Sequence, residues 1–78
     1  MDIHKFNATI PVEIGDIIKA EGYINQYEII DIIFIYSTAK QEVKVYLSLN
    51  DIDHNYNLKF EYNDYKWKII TKNIDRNK

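Results

Sequence analysis

The sequence predicts an all-β fold, a strongly bent five- or six-stranded antiparallel sheet closing as a small barrel, with an open bent antiparallel sheet as the alternative. Three observations predict it. The first is the alternation in Leu58-Lys59-Phe60-Glu61-Tyr62 and Tyr65-Lys66-Trp67-Lys68-Ile69, which flank Asn63-Asp64. Apolar residues fall on one side and charges on the other, and Asn and Asp tolerate the positive φ of a tight two-residue hairpin turn. The second is the density of Ile across residues 27–36, where β-branched side chains lose rotamer freedom in a helix and suit a strand. The third is the alternation of Val43, Val45, Leu47 and Leu49 through residues 41–49.

Each element follows in order along the chain. Phe6, Ala8 and Ile10 alternate with Asn7 and Thr9 in a short strand over residues 5–10, ended by Pro11. Val12-Glu13-Ile14-Gly15-Asp16 is a turn into the strand Ile17-Ile18-Lys19-Ala20-Glu21, and Gly22 to Gln26 form a loop. Residues 27–36 are the longest strand, and Ser37-Thr38-Ala39-Lys40 is a four-residue turn. Closing that turn pairs Tyr36 with Gln41, Phe34 with Val43, Ile32 with Val45 and Ile30 with Leu47. Residues 50–57 are a polar loop, the last hairpin sets Phe60 opposite Trp67 and Lys59 opposite Lys68, and residues 73–78 read as a frayed tail. The expected core is Ile18, Ile30, Ile32, Phe34, Val43, Val45, Leu47, Leu58, Phe60, Trp67 and Ile69.

Seventy-eight residues make one domain, and a chain this short buries only about 60–65% of its unfolded surface. There is no Cys, which removes thiol chemistry, disulfides and Cys-based zinc sites and fits a reducing compartment. The opening Met1-Asp2-Ile3-His4-Lys5 lacks the basic start and apolar run of a secretory signal. The longest apolar stretch, Ile32-Ile33-Phe34-Ile35-Tyr36, is too short to span a bilayer. The expectation is a soluble, cytoplasmic protein without a membrane partner, in which the sequon Asn7-Ala8-Thr9 is idle. Residues 1–57 carry nine acids against four lysines, and residues 58–78 carry six bases against three acids. Such asymmetry can mark a partner surface.

Chemistry-bearing patterns are sparse. Asp51, Asp53 and Asn55 match the first three ligand positions of a calcium loop, but Tyr56 stands where the sharp turn needs Gly and Tyr62 where a bidentate Glu is needed. The plainer reading is a cluster of Asx turns. His4 and His54 lie fifty positions apart with no ligand spacing around them. A dyad of His54 with Ser48 or Ser37 lacks an oxyanion donor, and Gly15 and Gly22 make no phosphate loop. No metal, no cofactor and no enzyme activity are expected.

Surface features point to partners. With Ile30, Ile32 and Phe34 inward, Ile29, Ile33 and Ile35 point outward beside Tyr46. That stripe needs a cover: the bend of the strand, the N-terminal strand, or a protein partner or second copy along Ile33, Ile35 and Tyr46. Tyr23, Tyr27 and Tyr56 sit in or beside loops, and Tyr is enriched at interfaces, so Tyr23 and Tyr56 join the partner-binding candidates. Lys44, Lys59, Lys66 and Lys68 form a polar face that either stays solvated or holds a nucleic-acid backbone. The leading function is a non-catalytic protein-interaction module; the alternative is a nucleic-acid-binding barrel using those lysines.

Gly15-Asp16-x-Ile18-Lys19-x-x-Gly22-Tyr23-x-x-x-Tyr27-Glu28-Ile29-x-Asp31-Ile32 resembles the opening of small SH3-like barrels, over about residues 12–71. The resemblance implies a Gly-Asp turn, a loop near Gly-Tyr, and then a long bent strand. Such barrels often close with a short 3₁₀ turn and a fifth strand, and a tight hairpin at residues 58–69 leaves no place for that turn. Their ligands are peptides, nucleic acids or none known, so no residue roles carry over. Small, Cys-free chains of AT-rich codon usage also look like accessory proteins of bacteria or their phages.

Overall fold

The computed structural model describes residues 10–76. Five antiparallel strands form one sheet: β1 Ile17–Ala20, β2 Tyr27–Ser37, β3 Glu42–Asp51, β4 Asn57–Glu61 and β5 Trp67–Thr71. A 3₁₀ turn at Tyr62–Asp64 joins β4 to β5, and a single helical turn, α1 Asn73–Arg76, follows β5. The strand order is β4-β3-β2-β1-β5. The strand expected over residues 5–10 lies outside the described residues, apart from Ile10, which has no regular structure.

The sheet is open. β4 and β5 are its two edges and do not pair with each other, so the expected barrel closure is corrected to the open bent sheet. The tight hairpin at Asn63-Asp64 is corrected with it. Phe60 lies beside Leu47 of β3, while Trp67 lies beside Ala20 of β1. Lys59 meets Ser48, and Lys68 meets Lys19. The 3₁₀ turn swings the chain from one edge to the other, and the Trp67 indole Nε1–H donates to the Tyr62 carbonyl at 2.8 Å across it. Segregation of side chains survives this change: Leu58, Phe60, Trp67 and Ile69 are half-buried while Lys59, Lys66 and Lys68 are exposed. Alternation fixes which way a side chain points, not which strand lies alongside.

The β2–β3 pairing also differs from the expected one. Phe34 meets Val45, Ile32 meets Leu47 and Tyr36 meets Val43, a slip of two residues that keeps these side chains on their expected face. The turn therefore runs over residues 38–41, with Gln41 at φ 52° and the Ser37 Oγ accepting the Lys40 N–H. Further along, the register shifts between Ile29 and Asp31. Ile30 is the extra residue of a β-bulge. Ile29 is thereby fully buried and Ile30 is 42% exposed, which reverses their expected roles.

The core is Val12, Ile18, Ile29, Leu47 and Leu49, with Ile32, Phe60, Trp67 and Ile69 packed against it. Each fully buried Ile or Leu contributes about 1.5–3 kcal/mol. Two carboxylates lie inside as well. Asp16 accepts the Glu13 N–H at 2.8 Å, the Asn73 N–H at 2.7 Å and the Lys72 ammonium at 2.7 Å. Residues 72 and 73, the latter within the expected frayed tail, are thus tied to the start of β1. Gly15, at φ 93°, sits against Asn73 so closely that a Cβ would come within 2.6 Å of its side chain.

Candidate functional site

Six residues from six parts of the chain converge at one end of the sheet. Ala20 ends β1, Tyr23 comes from the β1–β2 loop, Tyr27 starts β2, Phe60 lies on β4, Tyr65 follows the 3₁₀ turn and Trp67 starts β5. Together they line a concavity of about 130 Å³. Phe60 is its centre: its ring lies 5.9 Å from Tyr27, 5.3 Å from Tyr65 and 6.1 Å from Trp67. Tyr65 in turn contacts Trp67 at 5.3 Å and Tyr23 at 6.0 Å. Interplanar angles between 52° and 76° are the tilted and edge-to-face arrangements that the ring quadrupole favours.

Local chemistry places each ring. Gly22, at φ 89°, lets the chain reverse directly after β1, and the Tyr23 N–H donates to the Ala20 carbonyl at 3.1 Å. The Glu21 N–H donates to the Lys66 carbonyl at 2.7 Å, holding the first loop against the start of β5. The indole N–H of Trp67 is spent on Tyr62, so the polar groups offered to a visitor are tyrosine hydroxyls. Burial and then the nearby Asp51 charge push the Tyr27 hydroxyl up from its ordinary value.

Asp51 braces the loops around this concavity. Fully buried, its carboxylate accepts the Asp53 N–H, the His54 N–H and the Asn25 amide, each at 3.0 Å, and lies 3.0 Å from the His54 Nδ1. Burial raises this carboxyl, but the hydrogen bonds from Asn25 and His54 outweigh it and hold it below the ordinary 3.8. The Ile52 N–H donates to the Gln26 carbonyl at 3.2 Å, a second tie between the β1–β2 and β3–β4 loops. The calcium-like spacing is therefore an Asx turn. Its first oxygens are engaged by N–H donors, and among the described residues no group of three or more His, Asp or Glu could hold a metal.

The remaining candidates fall elsewhere. Tyr23 is in the concavity and 57% exposed. Tyr56 sits in the β3–β4 loop, its ring 6.0 Å from that of His54. Ile33, Ile35 and Tyr46 lie on the opposite face: Ile33 beside Tyr46, and Ile35 beside Lys44. Lys44 and Lys59 share that outer face, whereas Lys68 is on the far edge beside Lys19 and Lys66 just precedes it. The four lysines thus form no single patch. Ser48 is held in the ladder between Asp31 and Lys59, and the Ser37 hydroxyl serves its own turn, so neither meets His54. His4 lies outside the described residues. A second groove, about 410 Å³, is lined by Ile10, Val12, Glu13, Ile14, Ile32 and Phe34; its single polar side chain leaves it little chemistry.

Sequence reasoning assigned Phe60 and Trp67 to the core and grouped Tyr65 with the apolar face of the hairpin. Their convergence with Tyr23 depends on β5 pairing with β1, which no local pattern reports. The usable signal was the choice of Tyr over Phe at positions 23, 27 and 65, since a hydroxyl calls for a wet rim or a partner. Comparison with family models, with curated proteins and with solved structures finds no match for this chain. No helix among the described residues is long and apolar enough to cross a membrane.

Proposed function

We propose that this chain is a non-catalytic protein-interaction module of SH3-like topology whose aromatic groove receives an extended, proline-containing peptide. The groove of Tyr23, Tyr27, Phe60, Tyr65 and Trp67 carries the reading. Aromatic-lined clefts suit a polyproline II segment, because its ridges fit between rings and little conformational entropy is lost on docking. The SH3-like assignment draws on the strand order and on the 3₁₀ turn between the last two strands. A cytoplasmic setting is part of the proposal and draws on the lack of Cys.

Charge distinguishes this reading from the nucleic-acid one. The segments framing the groove carry exposed Glu21, Asp53 and Asp64 against Lys66. That balance favours a basic peptide and repels a phosphate chain. Lys44 and Lys59 are on the outer face and Lys68 is on the far edge beside Lys19, so among the described residues these lysines do not gather beside the rings to combine phosphate neutralisation with base stacking.

Trp67 is the only tryptophan, and its fluorescence reports directly on the groove. Titration with proline-rich peptides, with and without flanking Arg, is expected to give a saturable change, tighter for the Arg-flanked set. Tyr23→Ala is expected to weaken binding about tenfold, a loss of ~1.4 kcal/mol, while leaving the melting curve almost unmoved because Tyr23 is exposed. Silence from every peptide up to millimolar concentration would overturn the proposal. Saturable binding of a short single-stranded DNA at low salt would replace it with the alternative.

A further inference from the structure

The outer face of the β2–β3 ribbon carries an apolar stripe inside a charge pattern that repeats in reverse along the strands. Ile33, Tyr46 and Glu61 form one cross-strand row. The next row toward the ribbon tip is Ile35 with Lys44, followed by Ser37 with Glu42. On the other side comes Asp31, Ser48 and Lys59. Ile35 is 52% exposed, and β1 pairs with β2 only at Tyr27 and Glu28, so the ribbon stands beyond the strands that flank it.

We infer that this face binds a second copy of the chain through a two-fold axis running across the strands, between the Tyr46 row and the Lys44 row. Such an axis maps each row onto another. Ile33 of one copy faces Ile35 of the other, and Tyr46 faces Lys44, a cation over an aromatic ring. Glu61 then lies diagonal to the second Lys44, and Lys59 diagonal to the second Glu42. Every contact occurs twice, as an isologous interface requires, and the sheets pack face to face at the ordinary spacing of about 10 Å. Charge complementarity selects this occupant. The face holds Lys44 and Lys59 against Asp31, Glu42 and Glu61, which gives nothing for a polyanion to prefer. Read backwards, the pattern sets Lys59 beside Glu42 and Glu61 beside Lys44, while Asp31 falls opposite the uncharged Ser37, diagonal to Glu42. The interface is independent of the aromatic groove, which opens on the other side of the sheet.

Lys59 and Glu42 supply the test. Both are exposed. Lys59 is level with Ser48, six residues from Glu42 along β3, so within one copy they stand ~20 Å apart. Sedimentation equilibrium of the full chain is expected to show a dimer, weakened about tenfold or more by Ile35→Glu. Lys59→Glu alone and Glu42→Lys alone should each weaken it, because like charges then meet twice. Mixing the two variants should restore association, since opposite charges face each other again in the mixed pair and cannot do so within one chain. A monomer at all concentrations, a dimer indifferent to Ile35→Glu, or no recovery on mixing overturns the inference. Peptide-induced Trp67 fluorescence in the Ile35→Glu variant reads the groove separately.

Discussion

At Asp16 a fully buried carboxylate gathers two backbone N–H groups and an ammonium from segments more than fifty residues apart. Burial raises its pKa, but Lys72, Asn73 and Glu13 outweigh burial and hold it below the ordinary 3.8. Removing the carboxylate takes away the shared acceptor of the Glu13 and Asn73 N–H groups and the Lys72 ammonium, so Asp16→Ala should cost roughly 1–3 kcal/mol, read from the urea midpoint. Asp51 is depressed in the same direction, and the sign of the pH dependence follows. A carboxyl that holds its proton less tightly when folded adds stability above its unfolded pKa and loses it as pH falls through the folded one. Urea midpoints should therefore be level between about pH 7 and 5 and decline below about pH 4. A midpoint that rose on acidification to about pH 3 would contradict both assignments.

Within β2 the bulge decides which isoleucine matters. Ile29→Ala is expected to cost about 2–4 kcal/mol by leaving a cavity beside Leu49, its cross-strand partner. Ile30→Thr should stay within about 0.5 kcal/mol of the parent; thermal melts of the two variants check the contrast. Alternation alone ranks them the other way, and the reason is physical. In a strand where Ile occupies five of eleven positions, on both faces, one inserted residue changes the facing of its neighbours without changing the apparent pattern. Strand existence was legible because β-branched density and period-two alternation are local. The partner of β5 was not, because Ile18 meeting Ile69 is a pairing across fifty residues, set by topology. Asn63-Asp64 suits a 3₁₀ turn as well as a hairpin turn, so turn chemistry could not decide either. The aromatic groove inherits that limit: its members were visible as aromatics, but their assembly was not.

Taken whole, the molecule sets its aromatic groove and its Asp16 junction at opposite ends of the β1–β5 pairing. The β1–β5 pairing runs from Ala20 with Trp67 at the groove to Ile17 with Thr71 at the opposite end. Around the second end the Lys72 ammonium reaches the Pro11 carbonyl at 3.3 Å as well as Asp16. Both flanks of the described chain therefore leave from one corner, remote from the rings. That closeness makes the order of the strands along the chain dispensable. A circular permutant, with Lys78 joined to Met1 through a short Gly-Ser linker and new ends opened at the 38–41 turn, should fold to the same sheet. Its Trp67 emission and circular dichroism are expected to match those of the parent. A permutant that fails to fold would mean that the covalent β2–β3 turn, and not the Asp16 junction, organises the molecule.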